Sequence, residues 1–553
     1  MQEEMLRAST ASPTSPVNPD ARIEALDVVR GFALFGIFLM NIEFFNRSMN
    51  GIGEGMPLGL TGVDWFASWF ISYFVQGKFW TIFSLLCGMG FAVMLTRAER
   101  AGRPFLAPYL RRILGLAVFG AAHYIFLWAG DILFSYAVGA GALLILLYGT
   151  WKPILLAVLV LVGFGMATGL DPVYGIAGAL GFVALISLYV RDEKRITVRG
   201  HSLPRLSLLF LVLGVVALVA AIVFWSLPDG PKEPRVPVSL FAVILLVLSV
   251  LSAAYKDPPA ARELRLGVTI YTVSFVIMTF FGAVQYLTPE EPVAPVASAA
   301  AAARSTDKTE AEKAAQKKLE QKKAEQATRL VTRQENVAKE VRILSSGSYL
   351  EAVEMRGRRF PEKMAGDAGF ATVLVAMFLL GSWFVRSGVM ENTRAHLPLF
   401  RKLAVYGLPI GIGMGLLGSM VAVSHVAGDN HDGFQFARGL MMLGNLPACL
   451  GYVGLVVLML HSQSVLSRIR VLAPAGRMAL TNYLLQSVLC SAYFYGYGLG
   501  QWGMGRAMQV VFVVCVFAVQ IALSHWWLAR YRFGPMEWVW RAFTYRTTPA
   551  MRR

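Results

Sequence analysis

His123 and Asp131 stand eight positions apart in the run His123-Tyr124-Ile125-Phe126-Leu127-Trp128-Ala129-Gly130-Asp131. Gly130 breaks the helical pattern between them, so the two fall on adjoining helical ends. An imidazole that takes a proton and a carboxylate that orients it form the pairing needed for general base catalysis. The same residues also suit a plain interfacial turn, with Asp131 as a helix cap, Trp128 and Tyr136 in an aromatic belt and His123 bonded inside the bundle. A second set opens the first apolar run. Asp27 and Arg30 are three apart and can pair across one helical turn. Arg30 and Asn41 are eleven apart, so they share one face about 16 Å apart along the axis. A helix cap plus a cation reaching for the interface is the alternative there. The third set is Gly476-Arg477-Met478-Ala479-Leu480-Thr481-Asn482-Tyr483, in which Arg477 with Thr481 and Asn482 could hold phosphate groups. Helix capping, with Trp538 and Trp540 as interfacial anchors, competes with that reading. His431, Asp429 and Asp432 make only a weak metal pattern, and no metal site is expected. The four cysteines, Cys87, Cys449, Cys490 and Cys515, lie in apolar runs and read as packing residues. No Walker loop, GxGxxG turn, HExxH or GxSxG elbow is present.

Charged side chains inside a bilayer are costly, which makes each of these sets a functional candidate. The elements that carry them are apolar helices. Of the 553 residues, 56% are hydrophobic and 15% charged, against about 25% charged in soluble domains. About 20 apolar helical residues span a bilayer core, and runs such as 206–225, 240–254 and 507–527 have that character. The sequence predicts an all-α polytopic bundle of about fourteen spans. They lie near 26–45, 79–95, 105–128 and 132–148, two within 153–190, then 206–227, 238–254, 266–287, 368–385, 403–426, 437–461, 478–497 and 507–530. An amphipathic or re-entrant stretch, 63–75, falls between the first two. The net charge of +17 reads as membrane orientation and not as nucleic-acid binding. Arg97 to Arg112, Arg191 to Arg205, Lys256 to Arg265, Arg386 to Lys402 and the C-terminal tail all fall on one side of such a bundle. Both termini are therefore expected in the cytoplasm of a bacterial inner-membrane protein. The domain organisation follows as a cytoplasmic disordered tail (1–21), an N-terminal bundle (22–287), an external Ala/Lys-rich helical arm (288–366), a C-terminal membrane region (367–545) and a basic tail (546–553). The arm is either solvated or a docking site for a partner. Homo-oligomerisation stays open.

Several ordered segments resemble the YeiB-like family, also called domain of unknown function family 418. They are Leu26-Asp27-Val28-Val29-Arg30-Gly31, Gly77-Lys78-Phe79 with Phe83-Ser84-Leu85-Leu86, His123 through Leu133, Gly476 through Tyr483, and Glu537-Trp538-Val539-Trp540-Arg541. The family is grouped with membrane acyltransferases, among them heparan-α-glucosaminide N-acetyltransferases and acyltransferase-3 proteins. The resemblance implies a bundle that moves an acyl group, such as acetyl, from cytoplasmic acyl-CoA to an external glycan or small-molecule acceptor. In acyltransferase-3 proteins an Arg precedes a catalytic His by eleven positions. Here Arg30 precedes Asn41 by that interval, and no His lies between Asn41 and Gly62. The expected roles are His123 as base, Asp131 as its orienter and Asn41 as oxyanion donor. Arg30, Asp27, Arg477 and Asn482 are expected around the acyl-CoA phosphates. A solute transporter that uses Asp27, Arg30, His123 and Asp131 for proton relay or pairing is the alternative.

Overall fold

The computed structural model describes residues 23–102, 104–191, 194–198, 201–227, 235–255, 262–287, 310–429 and 431–553. The expected disordered tail and the 288–309 part of the expected arm lie outside the described residues. Helix follows helix from Glu24 to Tyr545, and the described strands form one short hairpin, Arg195–Val198 with Arg195 opposite Pro204. Among the described residues, ten helices are long and apolar enough to cross a membrane. Three more apolar helices, Leu133–Tyr148, Asp171–Ala184 and Arg235–Val250, are shorter. The described residues thus form an almost wholly helical, multi-pass membrane protein, the arrangement in which a span can satisfy its own backbone. The count of about fourteen is not reached by this measure. The segment expected near 478–497 forms helix Ala479–Phe494, only 16 residues long, with Thr481, Asn482, Gln486 and Ser487 among its residues.

Lipid is as apolar as leucine, so small residues rather than hydrophobicity decide which helices meet closely. Glu24–Asn41 is the central helix, buried on nearly every side. A Cβ at its Gly31 would collide with the Leu472 backbone, and one at Gly36 with the Phe79 ring. Helices Lys78–Arg100 and Tyr349–Arg386 cross in the same way, with Gly88 against the Phe378 backbone and Gly381 against the Leu85 backbone. The periphery has the opposite character. Arg205–Ser226 and Arg235–Tyr255 present Leu209, Val212, Val216 and Val250 outward. They are tied to each other by Ser207 Oγ and Ser249 Oγ, each donating 2.7 Å to the other residue's carbonyl oxygen.

The polar interval is helical over Glu310–Ser346 and then joins the bundle. Ser348 caps helix Tyr349–Arg386 through a capping box with Glu351. That helix has 38 residues and runs through the boundary expected at 366/367. Glu340, only 1% exposed, docks the interval onto the loop after the first helix. It accepts hydrogen bonds from Ser48 Oγ (2.7 Å), Met49 N (3.0 Å) and Asn50 Nδ2 (2.7 Å), and pairs with Arg359 (3.1 Å).

Candidate functional site

Helix Leu106–Ala122 widens at its end into a π-helical turn, His123–Leu127, closed by Trp128 N donating 2.8 Å to the His123 carbonyl. Such turns occur often at functional positions because the wider winding redirects a side chain. The turn is pinned from two sides. Arg356, 1% exposed, donates to the carbonyls of Ile125 (2.8 Å) and Phe126 (3.4 Å), and the Tyr349 hydroxyl donates to Phe126 (3.0 Å). On the other side Trp128 stacks on Phe45 at 4.5 Å and donates its indole N–H to the Phe44 carbonyl.

This turn holds His123 against Asp131, with Nδ1 and Oδ1 2.9 Å apart. Asp131 also takes the backbone N–H of Leu133 on Oδ1 (3.2 Å) and that of Phe134 on Oδ2 (2.8 Å). It therefore caps helix Leu133–Tyr148 and orients the imidazole at once, so the two readings of its position coexist. A carboxylate only accepts, so in the neutral imidazole the proton lies on Nδ1 and Nε2 is the acceptor. Nε2 lies 2.8 Å from Ser487 Oγ on helix Ala479–Phe494. All three residues are buried. The Tyr483 ring packs on the His123 ring, with centroids 5.1 Å apart.

Beside this cluster lies a cavity of about 300 Å³. One end is rimmed by Arg30, Arg97, Arg112, Arg477 and Arg541, against the two carboxylates Asp27 and Glu537. The Arg30–Asp27 pair expected across one turn is present at 2.9 Å. Phe83, Leu86, Val93 and Leu116 make the apolar wall, and Ile132, Leu133, Tyr136 and Tyr483 also line it. The site is therefore a basic rim, an apolar channel and, one side chain behind the wall, the His123–Asp131 pair. Two contacts of the C-terminal 537–541 segment shape the rim. The Glu537 carboxylate accepts from Leu480 N (2.7 Å), Thr481 N (3.1 Å) and Thr481 Oγ1 (2.6 Å). Glu537 thus caps the helix that carries Ser487. Burial raises the Glu537 carboxyl above its ordinary range, and the hydrogen bonds from Thr481 and Leu480 oppose that shift. Arg112 lies 4.3 Å over the Trp540 ring, whose N–H bonds the Arg112 carbonyl at 3.0 Å.

The family model described as "Protein of unknown function (DUF418)" matches residues 384–547, which include the Ser487 helix and the Glu537 cap. The chain is 25% identical over 551 residues to the uncharacterised protein YxaH of Bacillus subtilis (strain 168), covering 97% of each chain. It is 32% identical over 186 residues to the uncharacterised protein YeiB of Escherichia coli (strain K12), covering 33% of this chain and 47% of that one. The model match and these two relatives together support a YeiB-like DUF418 family for this chain. No solved structure matches the chain.

In this chain, Asp27, Arg30 and Arg477 converge on the rim of one cavity, and His123 meets Asp131. Two other expected residues are placed elsewhere. Asn482 does not line the cavity: its amide donates to the Ala475 carbonyl (3.2 Å) and Ser524 Oγ (3.0 Å), which ties two helices together. Asn41 is buried near the far end of the central helix and is not among the hydrogen-bond partners of His123 or Asp131. The weak metal pattern resolves into local bonds, with Asp432 held by His425 (2.6 Å) and Asp429 by His431 N (2.8 Å). Among the described residues no group of three or more His, Cys, Asp or Glu could hold a metal ion. Sequence reasoning did not single out Ser487, Arg356 or Glu340. A serine four residues past Tyr483, on the face turned to His123, was the available signal for the first.

Proposed function

We propose that this protein is a membrane acyltransferase that takes an acyl group from acyl-CoA at the arginine-rimmed end of the cavity. The acceptor, an external glycan or small molecule, is reached from the opposite face. The observation that carries this reading is the order of surfaces along one cavity: a basic rim, an apolar channel and a buried His–Asp pair behind its wall. Guanidinium groups bind phosphate through paired, directed hydrogen bonds, which suits Arg30 and Arg477 to the nucleotide end of the donor. The apolar channel suits the extended acyl-bearing arm. His123, held in one tautomer by Asp131, accepts the proton that must leave the attacking hydroxyl or amine. The carboxylates of the rim are already bonded, Asp27 to Arg30 and Glu537 to a helix terminus, so the rim favours anions. The lipid bilayer is the solvent of this bundle, and nucleic acid has no part in the reaction.

The test uses purified protein in nanodiscs with acetyl-CoA and a panel of amine and sugar acceptors, read as free coenzyme A thiol. His123→Ala is expected to lower transfer by about 10²–10⁴-fold, the range that general base catalysis supplies. Arg30→Ala is expected to raise KM for acetyl-CoA. An undiminished rate in His123→Ala, or solute counterflow in liposomes with no thioester consumed, would overturn the assignment.

A further inference from the structure

We propose that Ser487 is a nucleophile of this site, which carries the acyl group as an ester on its Oγ between donor and acceptor. The proposal rests on the acyl-transfer reading above and adds a covalent intermediate to it.

Ser487 differs from the other serines of the bundle in its partner: Ser187, Ser207 and Ser249 reach carbonyls of another helix and Ser135 a carboxylate, whereas Ser487 meets an imidazole. A hydroxyl within an apolar helix usually bonds the carbonyl four residues back, its nearest acceptor. Ser84 does so at 2.8 Å, and Ser226 and Ser274 at 2.7 Å. For Ser487 the corresponding Tyr483 carbonyl stands at 3.5 Å, while His123 Nε2 lies at 2.8 Å. The hydroxyl is aimed at an imidazole on another helix instead of at its own backbone. That imidazole is oriented in turn by Asp131 at 2.9 Å. Nucleophile to base and base to orienter are both within the 2.6–3.2 Å that activated nucleophiles show. Ser487 and His123 are each 2% exposed and Asp131 4%, so bulk water is kept from an ester formed there.

Position supports the same role. Ala479, Leu480 and Tyr483 line the cavity, and Ser487 is the next turn of their helix. It lies eight residues past Ala479, about 12 Å along the axis. An extended pantetheine arm entering from the arginine rim covers such a distance, and Tyr483 is the side chain its thioester meets before Ser487.

The two half-reactions balance. In the first, Ser487 Oγ bonds to the acyl carbon, its proton passes to His123 Nε2, the carbon–sulfur bond breaks, and the departing thiolate takes that proton to leave as coenzyme A. In the second, the acceptor oxygen or nitrogen attacks the ester and gives its proton to His123. The Oγ–carbon bond breaks, and Ser487 Oγ recovers the proton.

An intermediate of this kind makes the first half-reaction reversible without an acceptor. The experiment is exchange of isotopically labelled coenzyme A into unlabelled acetyl-CoA by the full-length protein in nanodiscs. Wild type is expected to exchange, and to yield an acetylated Ser487 peptide after acid quench. Ser487→Ala is expected to lower exchange by about 1000-fold, because loss of the nucleophile removes the step itself. Ser487→Cys keeps a nucleophile and retains measurable exchange, which separates loss of chemistry from loss of fold. Ser491→Ala, one turn further and bonded to the Val488 carbonyl, leaves exchange unchanged. Acetyl-CoA consumption with acceptor but no exchange without it, or full exchange in Ser487→Ala, overturns the role of Ser487 and leaves the acyltransferase reading standing. Failure of wild type to bind acetyl-CoA in equilibrium dialysis removes both.

Discussion

A single imidazole is held here by groups from several elements. Asp131 and Ser487 engage its two nitrogens, and Tyr483 and Trp128 enclose its ring. Its backbone turn depends on Arg356, whose planar fork reaches two consecutive carbonyls. Lysine is a single point of charge and cannot serve both carbonyls in that geometry. Arg356→Lys is therefore expected to cost about 1–3 kcal/mol, the penalty of leaving a buried polar partner unmet. Thermal melting in detergent would report this as a lower Tm. Turnover should fall while KM for acetyl-CoA holds, because Arg356 does not line the cavity. An unchanged Tm would show that the turn keeps its shape without this arginine. In the sequence Arg356 stands in a polar run beside Arg358 and Arg359, where nothing separates a buried guanidinium from solvated ones.

Among the helices, the decisive contact joins the start of the chain to its end. Gly476 sits so close to the Asp27 backbone that a Cβ there would overlap its carbonyl oxygen. This approach brings Arg477 to the rim shared with Arg30. Two weak motifs in the sequence are thus the two sides of one close contact. Gly476→Val is expected to force the helices apart, with a cost of about 1–3 kcal/mol for overpacking. The same change should weaken acetyl-CoA binding through the displaced rim, and equilibrium dialysis beside a melting curve checks both. Native binding at an unchanged Tm would sink this account. The Glu537–Thr481 cap closes the same assembly from the C-terminal side. From sequence, helix capping and interfacial anchoring by Trp538 and Trp540 are the reading of these segments, and the structure shows that Glu537 is the group that caps, across to Leu480 and Thr481.

The bundle as a whole has an arginine-rich end and an opposite end where the Glu310–Ser346 helix docks through Glu340. Acyl transfer across the membrane requires the first end in the cytoplasm and the second outside. Labelling of introduced cysteines tests this in a Cys515→Ser background, since Cys515 is the exposed native thiol among the described residues and the unsubstituted background supplies the control. Glu320→Cys should react with an impermeant maleimide on intact cells, and Arg100→Cys only after permeabilisation. The reverse pattern would invert the proposed direction of transfer. Cation counts in short loops led to this orientation because they act additively along the chain and need no knowledge of packing.

Long apolar runs, their turn signals and the pairing of Asp27 with Arg30 depend on near neighbours in the chain, so the sequence alone established a helical membrane protein and one side of its cavity. Burial of a span is a different matter. In lipid a buried helix and an exposed one are equally apolar, so the central place of Glu24–Asn41 and the outer place of Arg205–Ser226 follow from where glycines let backbones meet. The meeting of His123 with Ser487 belongs to the same class. Each residue looks ordinary on its own helix, and their 2.8 Å contact exists because two helices distant in sequence pack at one angle and register. Spacing along the chain carries the near-neighbour bonds of each helix, whereas a hydrogen bond between helices is set by how the whole bundle closes.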